Sequence, residues 1–191
     1  MTALPRHWKP YFQFAFCSGL RQGEQFALKP GDIDPSKGCL TISRAMTLGL
    51  DGQRIEGKTK NRFSRREIQL LPAMKSVLET QLAICKQLKA EYLFCTENGC
   101  RINHADLSTR VWQPPLIAAG ISYRPMVQTR HSFATTALSL GENPLWIAHV
   151  MGHRDTDMIV RVYAKLIKIA VNNRDGGELS NLHSTMIGNC G

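Results

Sequence analysis

Apolar residues change their spacing several times along the chain, and each change predicts an element. Residues 7–19 are aromatic-rich. Tyr11, Phe12, Ala15 and Phe16 fall on one helical stripe that Gly19 ends, and a second helix is expected from near Leu20. Pro30-Gly31-Asp32 breaks that helix. From Asp34 to Leu71 the period shortens to that of strands. Cys39–Ser43 alternates, Asp51-Gly52 is a hairpin signal, and Arg54–Lys60 with Arg66–Leu71 reads as a paired ribbon joined by KNRFSRR. Pro72–Leu88 returns to helical spacing through Met74, Val77, Leu78, Leu82 and Cys85.

The second half is helical throughout. Tyr92-Leu93-Phe94 is a short strand or extended segment. Asn103 caps a helix running from His104 to about Ala119, with Gly120 closing it. Thr129 is a candidate cap for a helix whose buried stripe is Phe133, Ala134, Ala137 and Leu138. Asn143-Pro144 is a cap followed by a helix-starting proline, and Gly152 releases the short helix Leu145–Val150. A last helix is expected from Asp155. Its apolar positions Met158, Ile159, Val162, Leu166, Ile169 and Ala170 centre on one direction, and Tyr163 lies about 80° from it. The fold class expected is therefore α+β, mainly α-helical, with a small antiparallel sheet or hairpin. Residues 1–172 form one domain and 173–191, polar and glycine-rich, a flexible tail.

Composition narrows the partners. The 191 residues carry a formal net charge of +9, which favours a polyanion: nucleic acid or an anionic membrane surface. No apolar run reaches the roughly 18 residues of a membrane span. The opening MTALPRHWKP lacks the build of a secretory signal, so a cytoplasmic protein with reduced cysteines is expected. Cys95 and Cys100 have no second pair at matching spacing, so no metal site is expected.

Three side chains carry candidate chemistry. Arg130 opens one helix, where backbone N–H groups also favour an anion. His153 follows the turn Met151-Gly152, and Tyr163 sits at the edge of an apolar face. A cation, an imidazole and a phenol on successive short helices suit attack on a phosphodiester: the phenol attacks, and the others stabilise the charge that develops. Upstream, Arg21 and Glu24 are three apart on one helical face, a spacing ordinarily read as a surface ion pair. The Lys and Arg residues between Lys58 and Arg66 exceed what edge protection of a hairpin requires.

The blocks SGLRQGE (18–24), GKTKNRFSRREIQLLP (57–72), and RHSFAT, GENP and MGH with a tyrosine ten residues on resemble, in that order, the motifs of the tyrosine recombinases, phage-type integrases in particular. They span most of residues 10–170. The resemblance implies a DNA strand transferase needing neither metal nor ATP, with no cofactor. Tyr163 would form a 3′-phosphotyrosine, Arg21 and Arg130 would hold the phosphoryl oxygens, and His153 would stabilise the same group. A hairpin lysine would protonate the leaving 5′ oxygen. Counting back from Arg66 without a gap selects Lys60, and a longer turn would select Lys58. Glu24 and His131 are supporting residues, and Lys58, Arg62 and Arg65 are DNA contacts. The implied partners are double-stranded attachment sites bound by four protomers, the isolated domain being monomeric. Valine at 127 departs from the family's usual histidine. The first motif begins within 20 residues of the start, so the clamp and arm-binding domains of similar integrases are expected to be absent from this chain. A type IB topoisomerase-like enzyme and a DNA-binding module with degenerate catalysis are the alternatives.

Overall fold

The computed structural model describes residues 4–48, 54–58 and 65–153. Its elements in order are α1 (Lys9–Ser18), α2 (Gln22–Phe26), β1 (Ile33–Asp34), β2 (Cys39–Ile42), β3 (Arg44–Leu48), β4 (Arg54–Lys58) and β5 (Arg66–Gln69). There follow α3 (Pro72–Leu88), α4 (His104–Asp106), a π-helical stretch (Leu107–Trp112), α5 (Gln113–Ala118), α6 (Gln128–Ser139) and α7 (Pro144–Met151). The expected class, mainly helical with a small antiparallel sheet, is what is observed.

α1 lies between α3 and α6. A helix flanked on two sides buries more than one stripe. Tyr11, Phe12, Phe14 and Ala15 are all buried, while Phe16, expected on the stripe, is at the surface. Phe12 stacks on Trp112 at 4.8 Å between ring centroids, and Tyr11 stacks on Phe26 at 5.8 Å. These contacts join α1 to the helical second half and to α2. Gly19 then turns the chain with φ +60, and a Cβ there would strike the Phe133 ring of α6. Only glycine permits both the left-handed turn and this approach, so Arg21 is delivered close to the start of α6.

The expected pairing of Arg54–Lys60 with Arg66–Leu71 is not what forms. β5 pairs antiparallel with β2 (Cys39↔Gln69 to Ile42↔Arg66), and β4 pairs with β3 (Arg44↔Lys58 to Leu48↔Arg54). The reason is burial. Arg66, Ile68 and Leu70 form the covered face of β5, and Leu40 pairs directly with Ile68 in the core. Alternation in sequence reveals that β5 has a buried face but not which strand matches it. The β3–β4 register brackets residues 49–53, and the expected Asp51-Gly52 turn lies outside the described residues.

The β3–β4 ribbon is tied down by charge. Glu56 accepts from Tyr92 Oη at 2.8 Å and pairs with Lys29 Nζ at 3.1 Å, while Arg44 Nη2 donates to both carboxylate oxygens of Asp32. Burial alone would raise the Glu56 carboxyl, but its bonds to Tyr92 and Lys29 outweigh that and hold it below the usual range.

Two helix expectations are revised. The helix after Asn103 is capped as expected, Asn103 Oδ1 accepting from the amides of Ala105 at 2.8 Å and Asp106 at 3.3 Å. It widens to π geometry at Leu107–Trp112, just before Pro114 and Pro115. Neither proline donates to the helical ladder, and the ring crowds the carbonyl four residues back, which a wider turn relieves. Thr129 is not the cap of α6. The turn beginning at Pro125 already winds into the helix, and Thr129 Oγ1 donates back to the Met126 carbonyl at 2.8 Å. Arg130 nevertheless falls in the first turn, as expected.

Candidate active site

Four side chains from three parts of the chain meet at the carboxyl end of α7. This helix is set by local sequence. Asn143 Oδ1 accepts from the Leu145 amide at 2.8 Å, Pro144 takes the first position, and Gly152 ends the helix at φ +66. The Gly152 amide donates to the His149 carbonyl and the His153 amide to that of Ala148, both at 2.9 Å. This paired closure satisfies two of the last carbonyls and fixes the direction in which His153 leaves. The carbonyls of Val150, Met151 and Gly152 accept from guanidinium groups instead, at the negative end of the helix dipole.

Arg21 is one of those donors. It precedes the first turn of α2, and its own amide donates to Glu24 Oε2 at 3.0 Å. Its Nη1 bonds Glu24 Oε1 at 3.0 Å, and its Nη2 donates to the Gly152 carbonyl at 3.1 Å. The pairing at i,i+3 is thus as expected, but the surface setting is not. The Glu24 side chain is 2% exposed and that of Arg21 44%, so the carboxylate is interior while the cation reaches solvent. A charge so arranged can hold an external anion without leaving its partner.

The second donor is Arg66, which the sequence reading assigned to a strand and not to the site. Its Nη1 and Nη2 fork onto Glu24 Oε1 and Oε2 at 3.1 and 3.0 Å, and its Nε donates to the Val150 carbonyl at 2.9 Å. Both side chains of this pair are 2% exposed. Burial would raise the Glu24 carboxyl, but the bonds and charge of Arg66, with the amide and charge of Arg21, hold it below the usual carboxylate value. A signal for Arg66 was present: it shares strand parity with Ile68 and Leu70, and a charge on a core-facing position demands a buried partner.

Arg130 completes the group. It is buried in the first turn of α6; Nη1 donates to the Gly19 carbonyl, and Nη2 lies 2.6 Å from His153 Nε2. A guanidinium can only donate, so Nε2 is the acceptor and the neutral imidazole carries its proton on Nδ1. Among the described residues, three guanidiniums and one carboxylate gather beside His153, a locally cationic arrangement. Such a centre can neutralise a phosphodiester and the further charge that forms when a nucleophile attacks it.

A sequence profile described as the phage integrase family matches residues 2–168. The chain belongs to that family. It is similar to two proteins of Escherichia coli strain K12: the prophage integrase IntR, 31% identical over 82% of this chain and 42% of the relative, and the putative defective protein IntQ, 28% identical over 78% and 42%. The chain spans less than half the length of the curated relatives it matches. Among solved structures, a Tn1549 transposon integrase in complex with circular intermediate DNA matches with a TM-score of 0.69 at 18% identity, covering 81% of this chain and 53% of that one. The shared fold is that of a tyrosine recombinase catalytic domain.

The remaining expected site residues of this integrase-family chain are not seen in this cluster among the described residues. His131 is exposed on α6 beside Arg130, and Arg65 is exposed just before β5. Lys58 ends β4, opposite Arg44. Lys60, Arg62 and Tyr163 lie outside the described residues. Val127, at the usual histidine position, is 44% exposed and immediately precedes α6, so it adds apolar surface there instead of a hydrogen bond. No cluster of three or more His, Cys, Asp or Glu with metal-binding geometry occurs among the described residues, and no helix among them is long and apolar enough to cross a membrane.

Proposed function

We propose that residues 1–172 are the catalytic domain of a site-specific DNA recombinase of the phage-integrase type, with 173–191 a tail. The observation that carries this reading is the convergence of Arg21, Arg130 and His153 over the buried Glu24. In the proposed reaction the Tyr163 oxygen bonds to the scissile phosphorus and the bond from phosphorus to the 5′ oxygen breaks. Arg21 and Arg130 neutralise the non-bridging oxygens, in forked geometry suited to phosphate. His153 stabilises the same group. Lys60 gives its proton to the departing oxygen as general acid. The product is a 3′-phosphotyrosine and a free 5′-hydroxyl, and the covalent bond retains the phosphodiester energy. A 5′-hydroxyl from a partner duplex reverses the step on a new strand, which calls for four protomers on two double-stranded attachment sites. His131 supports the arginine, and Lys58, Arg62 and Arg65 meet the DNA backbone. The setting is the DNA of a bacterial cytoplasm. With valine at 127, phosphate binding relies on one hydrogen bond fewer.

The test is covalent capture. A library of end-labelled duplexes with random core sequence and a nick beside each core position traps cleavage, because the short 5′-ended fragment is lost and religation fails. Protein-bound strands are separated under denaturing conditions and sequenced. Adducts at a defined core sequence with wild-type protein, absent with Tyr163→Phe, are expected. Adducts in both, or in neither, would defeat the assignment.

A further inference from the structure

We infer that Arg66 is a positioning residue of this centre: it locks Glu24 and the carboxyl end of α7 together, and so holds Arg21 and His153 where they meet the phosphate. The inference rests on the recombinase reading for its chemical consequence, and on geometry alone for the lock itself.

The geometry is a closed circuit. Arg66 holds both oxygens of Glu24 and the Val150 carbonyl. Glu24 holds the amide and the guanidinium of Arg21. Arg21 returns to the Gly152 carbonyl, one residue before His153. Arg21 itself is half-exposed, and a half-exposed arginine has several staggered conformers of similar energy. Its placement is decided by what fixes Glu24. That carboxylate is 2% exposed, and besides Arg21 itself it is Arg66, from β5, that bonds both its oxygens. The strand supplies the rigidity: Arg66 pairs with Ile42 in the ladder, and Ile42 is fully buried.

Arg66 touches no reacting atom in this account. Its loss would leave Glu24 with Arg21 as the remaining ionic partner described here. Arg21 would turn inward toward the carboxylate and away from the anion, and the α7 end would lose one of its cationic grips. Lysine should not substitute, since one ammonium cannot span two carboxylate oxygens and a carbonyl with fixed fork geometry.

The test has two arms. In the first, amide hydrogen exchange is compared between wild type, Arg66→Met and Arg66→Lys. Protection of the Gly152 and His153 amides should fall by about tenfold or more beyond any fall in α3, as expected of local opening. An even loss across the molecule, or none at the α7 end, would overturn the lock. In the second arm, cleavage at saturating DNA is measured below each variant's melting temperature, on a captured duplex and on the same duplex with a methylphosphonate at the scissile position. The neutral phosphonate removes the charge that Arg21 neutralises. Arg66→Met should be slower by about 10²-fold on phosphate, the scale of a 1 Å misplacement. It should approach wild type on the phosphonate, with Arg21→Ala behaving alike. Glu24→Gln combined with Arg66→Met should be no slower than the slower single variant. Equal defects on both substrates would reduce Arg66 to a general stability role and overturn the inference. If wild type yields no adduct on any duplex, the recombinase reading fails, and the exchange arm alone decides whether the lock exists.

Discussion

Substituting alanine for Gly152 should cost far more than its single methyl group implies. The residue sits at φ +66, where a side chain on an L-residue costs roughly 1–2 kcal/mol. The added Cβ would also lie 2.5 Å from Arg66 Nη1 and 2.7 Å from its Cζ. Ordinary contact needs about 3.5 Å, so the guanidinium must retreat by roughly 1 Å. An exposed arginine would do so freely. Arg66 is buried and held by bonds of 2.9, 3.1 and 3.0 Å, and a retreat of that size takes them out of hydrogen-bonding range. Breaking a buried ion pair from one side costs about 3–5 kcal/mol. Gly120 is an internal control: it has the same φ of +66, and its Cβ would meet nothing within 4 Å. Gly120→Ala therefore reads the backbone cost alone. Urea denaturation of both variants, compared at unchanged slope, should place Gly152→Ala about 3–5 kcal/mol below Gly120→Ala. Equal losses would show that the Arg66 fork gives way freely and would refute the reasoning.

Stability should also depend on acid through Glu24. Its carboxyl titrates below the ordinary glutamate value in the folded chain, so its contribution is fully present above that ordinary value and disappears as pH falls through the folded value; Glu24→Gln should remove this part of the acid limb in urea midpoints taken from pH 6 to pH 3, and an unchanged limb would count against it. Lys60→Ala should slow cleavage by about 10²–10⁴-fold with little change in binding, and a 5′-bridging sulfur, which leaves without a proton, should restore the rate; rescue of Lys58→Ala instead would shift the general acid by two residues. DNA affinity should fall steeply as salt rises, because a chain of net charge +9 binds chiefly through phosphate neutralisation; a titration insensitive to salt would contradict this.

What could be read from the sequence was what short stretches decide for themselves. Asn143-Pro144 and Gly152 bound α7 because capping, a fixed proline φ and a left-handed glycine act within a turn. Arg21, Glu24 and Arg130 were singled out by the motif blocks around them, since the spacing of the first two alone reads as a surface ion pair. What escaped was long-range. The partner of β5 depends on which buried face matches Ile68, a fact that local alternation does not contain. The depth of Glu24 depends on Arg66, 42 positions away. The π stretch is intermediate: Pro114-Pro115 announces trouble for a helical ladder, yet not whether the chain stops or widens.

The bend between β2 and β3 has a consequence for how this protein can vary. β4 ends at Lys58, opposite Arg44, and β5 begins at Arg66, opposite Ile42. Those two partners are two residues apart in the chain, across the step from β2 to β3, and so at most about 7 Å apart. Lys58 and Arg66 are therefore held close together, and neither ladder fixes the number of residues between them. Lengthening such an excursion is cheap, each doubling costing about 0.6 kcal/mol in closure entropy. Insertions there leave Arg66, and with it the phosphate-holding centre, in register. The segment that carries Lys60, Arg62 and Arg65 can thus change length without moving the Arg66–Glu24 pair, provided that the lysine proposed as general acid keeps its reach.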